Sequence, residues 1–68
     1  MDTFEKIIEI VGSQYRLAKI LNISAMAVTN WKNRRNIPQE HWEGIEFATG
    51  GKVSAFEIYK WNTGNKAA

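Results

Sequence analysis

The sequence predicts an all-α domain of five short helices, and three observations favour this fold class. Apolar residues recur at intervals of three and four along most of the 68 residues. Residue types that begin or end helices separate these apolar stretches. Cysteine is absent, so the core, drawn from 44% apolar residues, must stabilise the domain without disulfides or thiolate zinc sites.

The first two helices are predicted at about residues 2–11 and 14–21. Asp2 or Thr3 can cap the first helix, Gly12 can end it, and Ser13 can cap the second. The inward residues follow helical spacing: Phe4, Ile7, Ile8 and Val11 in the first helix, then Leu17, Ala18 and Leu21 in the second.

A tight turn and a third helix, residues 25–33, are expected next. Asn22 tolerates the left-handed backbone of such a turn, and Ser24 can cap the helix that follows. In this helix the bulky apolar residues Val28 and Trp31 lie three positions apart. The packed face is therefore narrow, and the opposite side is available for another role.

The fourth helix is predicted over residues 38–48 and the fifth over 55–61. Pro38 in a first turn favours a helix start, and the fourth helix has an apolar face of Trp42, Ile45 and either Ala48 or Phe47. Alternating apolar residues would allow a strand over 52–61. Ser54 and Glu57 instead fit a capping box, so we expect a helix. Residues 1–61 then form one domain, and residues 62–68 form a disordered tail.

Residues 14–31 have the spacing of a helix-turn-helix. The apolar positions shared by two helices and a short turn are Leu17, Leu21, Ile23, Val28 and Trp31. Ala18 is small where the third helix crosses the second, and Asn22 accepts the positive φ of the turn. An ordinary helical hairpin is the alternative, but it explains neither the basic charge of this region nor the small polar residues of the third helix.

The charges divide the chain into three segments. Residues 1–13 carry −2, residues 14–36 carry +5 with no acidic residue, and the remainder carries −1. A basic segment between two acidic ones indicates a surface for a polyanion, although a small chain can also acquire a basic third by chance.

Catalysis and metal binding are not expected. The sequence suggests no nucleophile with a base, no carboxylate pair and no metal constellation, and His41 is interpreted as a surface residue. We therefore expect no enzyme activity and no cofactor. The sequence shows neither an apolar run of ~18 residues nor a secretory leader, which predicts a cytoplasmic chain without membrane contacts.

The chain resembles the small phage Cro-type and YdaS-like transcriptional regulators of the lambda-repressor-like superfamily. The residues that carry the resemblance are Gln14, Leu17-Ala18-Lys19, LNIS (21–24), AVTNW (27–31), IP (37–38), IEFATGG (45–51) and Val53. The resemblance covers roughly residues 12–58. Asn22 replaces the usual glycine, and the C-terminal FEIYKWN lacks the Leu-Arg-Pro ending common in YdaS-like members.

The resemblance implies a lambda-repressor-like DNA-binding domain whose third helix enters the major groove. The base-reading residues would then be Ala25, Met26, Thr29, Asn30 and Asn33. Asn30 could pair with adenine and the Thr29 methyl group could contact thymine. Core packing is the alternative for Met26, and Asn33 could reach either the bases or the DNA backbone.

Phosphate contacts are expected around this helix. The implied residues are Gln14, Arg16, Lys19, Ser24, Lys32, Arg34 and Arg35. Plain N-capping is an equally good reading for Ser24 and is compatible with a DNA contact. Each cation could also be only a solvated charge.

A single such helix covers about five base pairs, so the resemblance implies a homodimer on an inverted-repeat operator. The dimer could be weak or form only on DNA. The chain has more large aromatic residues than a small core needs, which suggests a dimer contact by Phe56, Tyr59 and Trp61. Completion of the monomer core is the alternative for these rings.

The sequence thus predicts a Cro-type phage repressor that binds double-stranded operator DNA and occludes a promoter in a bacterial host cell. No small-molecule effector is expected. The alternative is an antitoxin-like protein-binding module that neutralises a partner, with DNA binding secondary. Sequence preference and a steep salt dependence would distinguish the regulator.

Overall fold

The computed structural model describes residues 1–64 and contains five α-helices in that range. They are α1 (Thr3–Val11), α2 (Gln14–Leu21), α3 (Ala25–Arg34), α4 (Trp42–Ala48) and α5 (Ala55–Gly64), with a 3-10 turn at Gln39–His41 before α4. The all-α prediction and the number of helices are confirmed. Residues 55–61 are helical, which excludes the strand considered for this segment.

Side-chain caps explain where four of the helices begin. Asp2 forms a capping box with Glu5 at the start of α1. The hydroxyls of Ser13 and Ser24 accept from backbone N–H groups at the starts of α2 and α3. At α5 the Ser54 hydroxyl accepts from the N–H of Glu57, whose carboxylate accepts from the N–H of Ser54. These contacts satisfy N–H groups that have no partner within the helix.

One apolar core joins all five helices. Its buried members are Phe4, Ile7, Leu17, Ala18, Val28, Trp31, Ile37, Ile45, Val53, Ile58 and Trp61. The α2–α4 approach is close, because a Cβ on Gly44 would lie 2.9 Å from Leu21 Cδ2. On α4 the side chain of Phe47 is 86% exposed, so Ala48 and not Phe47 completes the inward face.

Two predicted helix boundaries differ from the structure by more than one residue. Pro38 has an extended ψ of 140° and precedes a 3-10 turn, so the α-helix predicted from residue 38 begins only at Trp42. The fifth helix continues to Gly64, three residues beyond its predicted end, because Asn62 is buried and bonded to the backbone of Ile37. The rest of the predicted tail, 65–68, lies outside the described residues.

The helices of residues 1–64 are too short and too polar for any of them to cross a lipid bilayer. In the same range, His, Asp and Glu side chains do not gather in groups of three or more that could hold a metal ion.

Candidate nucleic-acid interface

The turn between α2 and α3 fixes how the two helices cross. Asn22 has left-handed backbone angles (φ 59°, ψ 46°), as the sequence predicted. Its N–H donates to the Lys19 carbonyl, and the N–H of Ile23 donates to the Ala18 carbonyl at 2.9 Å. This pair of bonds is a Schellman motif, which ends α2 and pairs two of the carbonyls in its last turn. Backbone bonds join the turn to the last turn of α2, and the Ile23 side chain packs against the core, so both contacts fix the turn.

A side-chain hydrogen bond links the start of α2 to the middle of α3. The Thr29 hydroxyl donates to the amide oxygen of Gln14 at 3.0 Å. Gln14 is the first residue of α2, and Thr29 lies on the outer face of α3. The bond therefore orients a predicted phosphate contact and a predicted base-reading residue relative to each other. Sequence spacing alone did not reveal it, because the two residues are fifteen positions apart.

The outer face of α3 is exposed where base-reading residues were predicted. All five of them, Ala25, Met26, Thr29, Asn30 and Asn33, are exposed to solvent. At 3.6 residues per turn they fall within roughly 140° of the helix circumference. Met26 is 72% exposed, so core packing, the alternative reading for this residue, does not apply. The opposite face buries Val28 and Trp31, and Trp31 is a core residue as predicted.

Cations border this face on both sides. Lys32 and Arg34 in the last turn of α3, and Arg16 and Lys19 on α2, are all exposed. The Arg16 side chain lies against the backbone of Gly12, where an added Cβ would be 3.1 Å from Arg16 Cδ. Lys19 lies over the ring of Tyr15, with Nζ 5.4 Å from the ring centroid. A polyanion that contacts α3 would meet positive charge along its edges.

Two of the residues predicted to contact phosphate instead make side-chain contacts within the protein. Ser24 is exposed, and its hydroxyl accepts from the N–H of Ala27 at 3.2 Å, which is the capping role considered for it. Arg35 directs its guanidinium to Trp61 and Asp2 and is only partly exposed. Arg35 therefore differs from Lys32 and Arg34, whose side chains are exposed.

The three aromatic residues predicted at a dimer contact occupy two different environments. Phe56 and Tyr59 are 66% and 48% exposed, with ring centroids 6.3 Å apart on one side of α5. Tyr59 also meets the edge of Trp42 on α4. Trp61 is only 5% exposed and stacks on Phe4 in the core. Its position in the monomer is that of a core residue, so it is not available at a surface contact.

Asn62 has a structural role that was not predicted from the sequence. Its amide oxygen accepts from the N–H of Ile37, and its amide nitrogen donates to the carbonyl of Ile37, both at 2.9 Å. The same carbonyl accepts from the indole N–H of Trp42 at 2.8 Å. Asn62 lies four positions after Ile58 and so continues the inward face of α5, which is the signal that could have revealed it.

Comparison with known proteins agrees with the helix-turn-helix geometry. Residues 4–62 match the family described as "Bacterial toxin YdaS". The chain belongs to the YdaS family. Among curated proteins, the chain is 35% identical over 57 residues to "Putative transcriptional regulator YdaS" of Escherichia coli (strain K12). The aligned region is 82% of this chain and 58% of that relative, and no solved structure is a significant match. The family predicted from the sequence is thus confirmed.

Proposed function

We propose that this YdaS-family domain is a transcriptional regulator that binds double-stranded DNA through the outer face of α3. The observation that carries the proposal is the exposure of Ala25, Met26, Thr29, Asn30 and Asn33 on one side of a helix whose other side is buried. The name of the Escherichia coli relative supports a regulator. Binding would require no cofactor, enzymatic step or small-molecule effector.

The dimensions of α3 suit base reading in the major groove. That groove is about 12 Å wide and admits an α-helix. Asn30 carries the amide that pairs with the N6 and N7 atoms of adenine, while Thr29 and Ala25 carry methyl groups suited to thymine. Because Val28 and Trp31 anchor the inner face of α3, these side chains project from a rigid element.

The surrounding cations would place the helix on the DNA without selecting its sequence. Lys32 and Arg34 lie near one end of α3, and Arg16 and Lys19 belong to the preceding helix. Gln14 can contact a phosphate through its amide nitrogen while its oxygen remains bonded to Thr29. The N-terminus of α3 beside Ser24 adds backbone dipoles that favour an anion.

A homodimer would supply the specificity that one helix lacks. We infer that the exposed pair Phe56 and Tyr59 forms the contact, without the buried Trp61. Lys60 Nζ lies 5.5 Å from the Phe56 ring centroid, so a cation borders this aromatic patch. Two α3 helices about 34 Å apart would then read an inverted repeat, with repression by promoter occlusion as in a Cro-type protein of a phage in a bacterial cytoplasm.

A protein-binding module that neutralises a partner is the second candidate. The observation that favours it is Phe47, an exposed aromatic residue on α4 that the proposed DNA and dimer surfaces do not use. The two candidates differ in how DNA binding depends on sequence. A regulator prefers its operator over other duplexes by about 10³-fold or more, whereas a basic surface alone has no such preference.

The test is selection of bound duplexes from a randomised pool at about 150 mM salt, where non-specific contacts are weak. We expect enrichment of an inverted repeat whose half-site centres are about one helical turn apart. A duplex of the same composition in scrambled order is the matched control. Binding of both duplexes with equal affinity would contradict the regulator and favour the protein-binding alternative.

A further inference from the structure

The contacts of Arg35 differ from those of the other cations near α3. Its guanidinium carbon lies 5.0 Å from the ring centroid of Trp61, and its Nη1 lies 3.8 Å from Oδ2 of Asp2. We propose that Arg35 is a positioning residue that fixes the end of α3 against α1 and α5, and that it does not contact phosphate. This proposal rests on the proposed function, because the helix that it positions is the base-reading one.

Both partners of Arg35 are themselves held. Asp2 caps α1 through Oδ1, which accepts from the N–H of Glu5 at 2.8 Å, so Oδ2 is directed to Arg35 from a fixed carboxylate. Trp61 is buried and stacks on Phe4 with centroids 5.7 Å apart. A guanidinium between a fixed carboxylate and a fixed ring gains both ionic and cation–π attraction. A phosphate would have to compete with both partners.

The backbone conformation of Arg35 is a second observation that supports a structural role for its side chain. Its φ of 54° and ψ of 48° lie in the left-handed region, which favours glycine over arginine. Its N–H donates to the Lys32 carbonyl, and the N–H of Asn36 donates to the Trp31 carbonyl at 3.0 Å. Such a conformation persists in a residue with a side chain when surrounding contacts determine it. The side-chain contacts of Arg35 with Asp2 and Trp61 are of the kind that can offset this backbone cost.

The segment that follows Arg35 is attached to α5, the helix that carries Trp61. Asn62, the residue after Trp61, pairs through its side-chain amide with the backbone N–H and carbonyl of Ile37. Arg35 on Trp61 and Ile37 on Asn62 therefore form two adjacent attachments between the α3 end and α5. We name these four residues the α3–α5 clamp. The clamp explains why α3 can present its outer face at a fixed angle although its inner face buries only two residues.

Salt dependence separates a phosphate contact from a positioning contact. Each phosphate that a cation neutralises changes the slope of log K against log salt by about 0.9. We expect Arg34→Met to flatten the slope by about that amount and Arg35→Met to leave it unchanged. The two variants remove the same charge from neighbouring residues, so each is the matched control for the other. A slope change in Arg35→Met equal to that in Arg34→Met would overturn the proposal.

The ratio of operator affinity to non-specific affinity separates positioning from a purely structural role. Arg35→Gly removes the clamp side chain but relieves the left-handed backbone, so thermal stability should not fall. We nevertheless expect the ratio of operator affinity to non-specific affinity to drop by about three- to tenfold in Arg35→Gly. This is the size of effect expected when a cation–π contact and a partly exposed ion pair are both lost. Arg35→Lys keeps the charge but not the planar group and should restore only part of the ratio. An unchanged ratio in Arg35→Gly would contradict a positioning role.

Amide hydrogen exchange tests the clamp without DNA. The N–H of Asn36 is bonded at the end of α3, and its exchange should accelerate in Arg35→Met. Asp2→Asn removes the ion pair while keeping a good N-cap residue and should have a smaller effect in the same direction. If the wild type selects no DNA sequence, the proposed function fails, but faster exchange still supports the clamp. Unchanged exchange in both variants would overturn the clamp whatever the DNA result.

Discussion

The hydroxyl of Thr29 on α3 donates a 3.0 Å hydrogen bond to the amide oxygen of Gln14 at the start of α2. The bond crosses from a predicted phosphate contact to a predicted base-reading residue. It leaves the Thr29 methyl group and the Gln14 amide nitrogen available for other contacts. In the proposed DNA complex, this residue pair would couple the docking of the domain on DNA to the reading of a base.

Two substitutions at Thr29 should separate these effects. Thr29→Ser keeps the hydroxyl and removes the methyl group, so discrimination at one A·T pair should fall by about 0.8 kcal/mol. Thr29→Val keeps a methyl group and removes the donor to Gln14, so affinity for all sequences should fall alike, by about 1 kcal/mol. Fluorescence anisotropy with operator and scrambled duplexes measures both. Identical effects of the two substitutions would contradict the division of roles.

Asn30 should carry the strongest single base contact. Asn30→Ala should cost about 1–3 kcal/mol of operator affinity and relax the preference at one base pair. The matched control is Asn36→Ala, since Asn36 is also exposed but lies beyond the end of α3. Repeating the duplex selection with each variant tests the prediction. If Asn30→Ala retained the wild-type preference at every position, another residue of α3 would have to read the bases.

The exposed phenylalanines allow a matched test of the dimer contact. Phe56→Ser should raise the dimer dissociation constant by about tenfold or more, as expected for an aromatic residue at the centre of an interface. Phe47→Ser removes an even more exposed ring from α4 and should leave association unchanged. Sedimentation velocity over a range of concentrations, with and without operator DNA, distinguishes a stable dimer from one formed on DNA. The reverse ranking of the two variants would place the contact at Phe47.

Asn62 should be required for stability although it lies beyond the predicted domain boundary. Asn62→Ala would leave the buried N–H of Ile37 without its partner, and we expect a loss of about 1–3 kcal/mol in the free energy of unfolding. A chain ending at Trp61 should be similarly destabilised, whereas one ending at Gly64 should not. Urea unfolding measures all three. Equal stability of the two shortened chains would contradict the structural role.

The stability of the domain should decrease in acid partly through Glu57. The backbone N–H of Ser54 and the ammonium group of Lys6, 3.4 Å away, lower the pKa of Glu57 below its ordinary value of 4.5. A carboxyl with a lowered folded-state pKa stabilises the fold above its unfolded-state pKa. That contribution is lost as the pH falls through the folded-state value. The free energy of unfolding should therefore decline as the pH falls below 4.5.

Glu57→Gln tests this pH dependence because glutamine can still complete the capping box. The variant should be less stable than the wild type at pH 7 and should show a smaller decline in acid. Glu43→Gln makes the same change at an exposed position on α4 and should retain the wild-type decline. Urea titrations at several pH values provide the comparison. Parallel curves for Glu57→Gln and the wild type would exclude the contribution of Glu57.

Local signals made much of the fold predictable. Asp2, Ser13, Ser24 and Ser54 cap helices as expected, because a cap depends on residues within one turn of each other. The turn at Asn22 was predictable for the same reason. The end of α5 was not, since the residue that extends it, Asn62, pairs with a backbone segment twenty-five positions away.

Helical spacing along the chain was enough to predict the five helices, the helix-turn-helix and the exposed face of α3, because it places polar and apolar residues on opposite sides of each helix. Packing between the helices sets which aromatic rings and cations remain exposed. Trp61 and Tyr59 are two positions apart on α5, yet packing against Phe4 buries only Trp61. Arg34 and Arg35 are neighbours, yet only Arg35 meets Asp2 and Trp61. Residue type cannot distinguish such pairs, because their roles depend on groups from other helices.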